Sequence, residues 1–292
     1  MALKGVIPPM ITPFDGNGNI YEKALRRLVS FLSENVHALF VCGSYGSGPL
    51  MSSEQREKVV EITIDEAKGR VPVIVHVGAT STDTSVELTK HAESSGAIAV
   101  GCVPPYYYHP SDKDIIHHYE RLVKAVNIPV YVYNNPKTVG YGISPGLMSK
   151  IVDVGVKGVK DSSFDIMVFA DFRRKLGDKG FDVVLGTEAL FLSASVLGAR
   201  AFIPGLGNAF PEICVELYNV CIEKDLEKAW EVQKKVNCMR EIMKMAGSTI
   251  VSVYEMLRMR GIDAGVPKSP FRLTDEVTRG NMRKELEKLG ML

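Results

Sequence analysis

Short apolar runs alternate with longer amphipathic stretches along most of the chain. The runs at 5–12, 38–43, 72–78, 98–103, 129–134, 156–161, 182–186 and 200–204 predict strands, each of a length that fills a buried parallel sheet. Helical patterns lie between them. Ser52-Ser53-Glu54-Gln55 opens one that runs to Lys68 with Gly69 as its stop. Ser111 with Asp114 opens another over 111–126, where Ile115, Tyr119, Leu122, Val123 and Val126 form one stripe. This alternation predicts a closed (β/α)8 TIM barrel of the α/β class, because an open doubly wound sheet usually has fewer strands. Residues beyond 204 stay helical in pattern, with Cys214, Leu217, Tyr218, Cys221 and Ile222 on one face. One further helix closes a barrel, so a catalytic barrel over 1–225 and a helical extension over 226–292 are expected.

Composition adds mostly exclusions. Of 292 residues 46% are hydrophobic and 24% charged, the balance of a globular chain with a sizeable core. A net charge of +1 offers no general pull on nucleic acid or anionic lipid, which turns attention to a small-molecule substrate. Five cysteines, without C-x-x-C or zinc-finger spacing, predict reduced and mostly buried thiols. With no signal-peptide core at the N-terminus and no membrane-length apolar run, a cytoplasmic protein is expected.

Function in such barrels gathers where strands end. In Val156-Lys157-Gly158-Val159-Lys160-Asp161, strand alternation puts Lys160 on the face of Val156 and Gly158. A lysine there is either salt-bridged or a reactive amine whose lowered pKa permits attack on a carbonyl. Tyr131 and Tyr133 share a face of the fifth run, so a phenol can reach the barrel mouth near Lys160 and relay protons, or serve as packing. The turn Cys42-Gly43-Ser44-Tyr45-Gly46-Ser47-Gly48 presents N–H groups and hydroxyls to an anion, or is only a tight turn. Tyr106, Tyr107 and Tyr108 stand between prolines, and Gly186-Thr187-Glu188 and Ile203-Pro204-Gly205 can line a pocket. His76, inside an apolar run, reads as a satisfied core residue, and no metal spacing appears.

Gly43-Ser44-Tyr45-Gly46, Pro105-Tyr106-Tyr107, Tyr133-Asn134-Asn135-Pro136, Gly158-Val159-Lys160-Asp161-Ser162 and Asn208-x-x-Pro211 together resemble the N-acetylneuraminate lyase and dihydrodipicolinate synthase superfamily. That resemblance implies a homotetrameric barrel acting on pyruvate or related 2-oxo acids through a lysine Schiff base, with no metal or organic cofactor. It implies Lys160 as the Schiff-base lysine, Tyr133 as proton relay bonded to Ser44, and the Ser44–Tyr45 turn as binder of the oxo acid carboxylate. Tyr107 would be donated across a dimer interface, and Ile203 would offer its carbonyl near the lysine.

Departures narrow the substrate. Thr138 stands where dihydrodipicolinate synthases carry an arginine for the second substrate's carboxylate, which disfavours that reaction. Tyr45 and Ser47 replace a threonine and a glutamate of the usual family run. Gly46-Ser47-Gly48-Pro49 and the tyrosine run are similar to archaeal 2-keto-3-deoxygluconate aldolases, in which the positions of Asn135, Ser162, Gly186 and Glu188 face sugar hydroxyls. Pro110 stands where members that accept the 6-phosphate carry arginine, favouring an unphosphorylated substrate unless a cation such as Lys244 serves instead. A sugar-acid dehydratase, another 2-oxo acid lyase and a non-catalytic oxo acid binder are the competing expectations.

Overall fold

The computed structural model describes residues 2–292. Eight parallel strands form one sheet: β1 (Gly5–Val6), β2 (Leu39–Val41), β3 (Val73–His76), β4 (Ala99–Cys102), β5 (Val130–Asn134), β6 (Gly158–Asp161), β7 (Asp182–Leu185) and β8 (Ala201–Phe202). β1 pairs with β8, and the order then runs back through the sequence to β2. The curl closes where the chain after β1 meets β2. Met10 N–H donates to the Phe40 carbonyl, Phe40 N–H donates to the Pro8 carbonyl, and Pro9 and Phe40 form a parallel bridge. Every strand falls inside its predicted run. The first is far shorter than 5–12 because Pro8 and Pro9 have no N–H to donate to a ladder.

Side-chain alternation splits each strand between two cores. Ile7, Phe40, Ile74, Ala99, Tyr131, Tyr133, Val184 and Ile203 fill the barrel interior. Val41, Val75, Val100, Val132, Val159 and Val183 face outward and pack with helix residues such as Leu28, Leu122 and Phe169. Each such side chain withdrawn from water contributes about 1.5–3 kcal/mol, which is why a one-residue slip in any strand is heavily penalised. Val156 departs from the expected alternation. It precedes β6 and packs in the outer layer with Val159, so only Gly158 and Lys160 share the inner face.

The helix Ser53–Ala67 starts on a Ser52 cap whose hydroxyl accepts from Gln55 N–H, and ends with Lys68 in the left-handed region, one residue before the expected Gly69. The helix Asp112–Ala125 opens on the reciprocal Ser111–Asp114 capping box. Pro211–Glu223 packs beside Leu226–Lys244, which is followed by Thr249–Met259 and Glu276–Lys288. The Tyr254 hydroxyl donates to the Thr12 carbonyl at 2.7 Å, tying this C-terminal group to the chain after β1. Among the described residues no helix is long and apolar enough to cross a membrane, and the five cysteines are free thiols, all buried but Cys238.

Candidate active site

Register decides where Lys160 stands. β5 and β6 pair Tyr133 with Lys160 and Tyr131 with Gly158, so both tyrosines and the lysine share the inner wall. Gly158 is required by the crowding, because a Cβ there would lie 2.3 Å from the Tyr131 ring. Lys160 is only 5% exposed, and its Nζ lies 4.0 Å from the Phe40 ring centroid and 3.8 Å from that of Tyr133. No carboxylate pairs with it among the described residues. Burial lowers its pKa below the ordinary lysine value, and Tyr133 partly opposes this. The salt-bridged alternative is absent among the described residues; burial favours the neutral, nucleophilic amine, against the pull of the two ring faces on an ammonium.

The strand ends around it are fixed by hydrogen bonds. Asp161 points outward, accepting from Asn134 Nδ2 at 2.7 Å and Ser163 Oγ at 2.8 Å, and burial pushes its carboxyl up to about 6. Ser162 N–H donates to the Asn134 carbonyl at 2.8 Å, extending the β5–β6 pairing beyond Lys160. Asn135 Nδ2 donates to the Tyr133 hydroxyl at 3.1 Å, while Ser44 Oγ lies 3.5 Å from both, at the outer limit of hydrogen bonding. Burial drives the Tyr133 phenol pKa up. The charge of Lys160 and hydrogen bonds with Ser44, Lys160 and Ser162 outweigh it, leaving the phenol below its ordinary value.

The turn after β2 starts at Cys42, whose φ of +58° turns the chain sharply. Ser47 and Gly48 spend their N–H groups on the carbonyls of Ser44 and Gly43. Among the described residues the adjacent N–H groups of Ser44 and Tyr45 have no protein partner, the arrangement that accepts a carboxylate. The Tyr45 ring turns away, its hydroxyl lying against Gly205. Burial and the nearby Glu188 push that phenol up.

The other sequence-derived residues divide. Ser162 Oγ donates to the Gly186 carbonyl at 3.3 Å, and a Cβ at Gly186 would sit 2.0 Å from Ser162 Oγ, so these two belong to one rim. Ile203 faces the interior, with its N–H on the Leu185 carbonyl. Glu188 is buried, and its carboxylate is already engaged: Arg240 Nη1 lies 2.7 Å from Oε1 and Gly205 N–H donates to Oε2 at 3.2 Å. Tyr107 lies outside its own chain's site, 83% exposed with a φ of +80°.

Sequence reasoning missed two groups and the state of a third. Arg56, buried with no carboxylate partner among the described residues, donates to the carbonyls of His76 (2.6 Å) and Gly78 (3.0 Å) at the end of β3. Its place in the 53–67 helical pattern reads as a surface charge, and nothing local betrays it. Arg240, which holds Glu188, is likewise one cation among several in its helix. His76 is in the core as expected but only half satisfied: Nδ1 lies 3.1 Å from the Cys42 carbonyl, while the buried Nε2 has no partner. Its ring stands edge-on to Tyr133, centroids 5.7 Å apart. Beside this group a cavity of about 320 Å³ opens at the mouth, walled by Ser44, His76, Thr138 and apolar side chains including Val103, Tyr106 and Phe271.

A buried lysine without a carboxylate partner, beside a phenol at the C-terminal end of a (β/α)8 barrel, has the setting in which an amine can attack a carbonyl. The chain belongs to the dihydrodipicolinate synthetase family, whose model matches residues 2–289; members of that family are Schiff-base lyases and synthases, and this protein is an enzyme of the family. It is 32% identical over 294 residues to the 4-hydroxy-tetrahydrodipicolinate synthase of Methanopyrus kandleri, covering 99% of this chain and 97% of that one. Among solved structures, KD(P)GA from T. tenax superposes with a TM-score of 0.90 at 26% identity, covering 99% of each chain. The fold is also that of YagE from E. coli K12, solved in complex with pyruvate, with a TM-score of 0.95, 24% identity and 99% of each chain covered.

Proposed function

We propose that the protein is a class I aldolase that reversibly splits 2-keto-3-deoxygluconate into pyruvate and glyceraldehyde. The observation that carries this reading is the Lys160 amine, buried against Phe40 and Tyr133 with no carboxylate partner. The amine attacks the C2 carbonyl, water leaves, and a protonated imine forms. Tyr133 in its phenolate form takes the proton from the C4 hydroxyl as the C3–C4 bond breaks. The bonding pair moves into the iminium and gives an enamine, while glyceraldehyde departs. Tyr133 returns the proton to C3, and water hydrolyses the iminium to pyruvate and free lysine.

The unpartnered N–H groups of Ser44 and Tyr45 hold the oxo acid carboxylate, and the Ser44 hydroxyl aligns Tyr133. Ile203 offers its carbonyl beside the imine. Asn135, Ser162 and the space left by Gly186 receive sugar hydroxyls, with Glu188 contributing through lone pairs that Arg240 and Gly205 leave unused. Exposed Tyr107 enters the site of a second copy in a homotetramer. Thr138 lines the mouth cavity, which has no lysine or arginine in its wall, and this supports neither a second carboxylate nor a 6-phosphate. Lys244 is exposed and paired with Glu241 at 2.6 Å, which leaves it no evident call on a phosphate.

The test is pyruvate release from 2-keto-3-deoxygluconate against its 6-phosphate, with Lys160→Ala as the blank. Lysine-dependent release with the unphosphorylated sugar preferred is expected. Formation of a dehydrated sugar acid, or activity retained by Lys160→Ala, overturns the reading. Pyruvate with borohydride should add mass at Lys160, and an enzyme that gains none is an oxo acid binder without imine chemistry.

A further inference from the structure

Behind the turn that carries Ser44 and Tyr45, three buried residues, Cys42, Arg56 and His76, form a closed ring of contacts. Arg56, on the first turn of the helix Ser53–Ala67, donates through Nη2 to the His76 carbonyl at 2.6 Å and through Nη1 to the Gly78 carbonyl at 3.0 Å. His76 Nδ1 lies 3.1 Å from the Cys42 carbonyl, and the Cys42 thiol points back to the Arg56 carbonyl at 3.6 Å. Burial, then Arg56 and Lys160, hold the imidazole's pKa well below its ordinary value, so the ring is neutral. A carbonyl only accepts, which puts the single proton on Nδ1.

Stability alone is a poor account of this ring. The guanidinium has no carboxylate on it among the described residues, and burial pushes the Cys42 thiol up to about 11 in spite of Arg56, so the thiol supplies no counter-charge. His76 Nε2 is buried without a partner, and Cys42 stands in the left-handed region at φ +58°. A buried cation without an anion, an unmet ring nitrogen and a left-handed cysteine are each unfavourable, and such local costs gather where a segment must be held in one geometry. The segment held here is the turn. Two and three residues beyond Cys42 stand Ser44 and Tyr45, whose N–H groups have no protein partner among the described residues.

We propose that Arg56 and His76 are positioning residues for the substrate carboxylate: Arg56 fixes the end of β3, His76 holds the Cys42 carbonyl, and Cys42 sets the angle at which the Ser44 and Tyr45 N–H groups meet the oxo acid. This rests on the reading of that turn as the carboxylate binder and deepens it. Both residues act through the backbone of the turn. Loosening the ring lets the two N–H groups diverge, which weakens the hold on a carboxylate and leaves the Lys160 amine as reactive as before. The loss is therefore confined to ketones that carry a carboxylate.

The test is borohydride trapping at Lys160, followed against the concentration of pyruvate and of hydroxyacetone, a ketone of similar size without a carboxylate. Pyruvate affinity by calorimetry and thermal unfolding accompany each variant. His76→Leu removes the donor to Cys42 and should raise the half-saturating pyruvate concentration roughly tenfold, with a change of less than about twofold in the limiting rate and in hydroxyacetone trapping. Arg56→Met should give the same pattern. His76→Asn returns a donor toward Cys42 and Arg56→Lys returns a cation with fewer donors, so each should recover part of the affinity. An equal fall with both ketones assigns the ring a purely structural role and overturns the proposal, and so does an unchanged pyruvate affinity. Where the apolar substitutions do not fold, His76→Asn and Arg56→Lys carry the comparison: a smaller loss for pyruvate alone is expected, and any other pattern overturns it. A wild-type enzyme that traps no pyruvate removes the Schiff-base reading itself, and the calorimetric affinities then judge the ring on their own.

Discussion

The rim formed by β5 and β6 and the rim formed by β7 and β8 carry polar residues at comparable heights and use them differently. On the first, Lys160 has no carboxylate among the described residues, Tyr133 is held by Asn135 and loosely by Ser44 with no charged carboxylate on it, and Asp161 is turned outward to hold Asn134 and Ser163. Its protein-protein bonds are spent behind the reacting groups. On the second, Glu188 is closed off by Arg240, and Gly205 N–H takes its other oxygen. That carboxylate fastens the helix Leu226–Lys244 to the barrel mouth. A polar side chain at a strand end becomes chemistry only where no neighbouring element neutralises it.

The contrast is broken most completely at Lys160. Lys160→Ala should reduce pyruvate release to background and abolish borohydride trapping, read by intact mass. Tyr133→Phe should lower kcat by about 10²–10⁴-fold with a small change in KM for pyruvate, the pattern of a lost proton relay. On the other rim the larger effect should be on stability. Arg240→Met strands a buried carboxylate and should cost about 3–5 kcal/mol in denaturant unfolding, most of it recovered when Glu188→Gln is added. If Arg240→Met instead abolishes pyruvate trapping without loss of stability, the division between the rims is wrong.

Two smaller effects sharpen the comparison. Gly186→Ala puts a Cβ 2.0 Å from Ser162 Oγ and should cost about 1–3 kcal/mol of stability, together with weaker sugar binding. The pH dependence of trapping tests the burial of the amine. Burial lowers the Lys160 pKa from its ordinary value, so the neutral fraction and the trapping rate rise with pH and level off below the usual lysine range. Tyr133 supports the ammonium; Tyr133→Phe removes that support, lowers the lysine pKa further and should move the rising limb to lower pH.

Much of this was legible in the chain. Each apolar run holds its strand, because a parallel sheet covered on both faces needs unbroken apolar stretches. The caps at Ser52 and Ser111 are local chemistry and were readable as such. Lys160 and Tyr133 emerged from alternation, and their adjacency follows from a register that pairs them directly. Val156 did not follow the alternation, because period two applies only where the chain is a strand, and β6 begins at Gly158.

What sequence could not supply were the partners brought in from far along the chain. Glu188 and Arg240 are 52 positions apart, and Arg56 reaches the carbonyls of His76 and Gly78, 20 and 22 positions away. Hydrophobic periodicity and capping depend on neighbours within a few residues and are written locally, so the sequence by itself determined the strands, the helix starts and the face on which Lys160 lies. Hydrogen bonds and ion pairs depend on which distant elements the closed barrel packs together. Only the tertiary structure therefore decided that the lysine has no carboxylate partner among the described residues, that Glu188 is engaged, and that the buried His76 Nε2 is left without a hydrogen-bond partner.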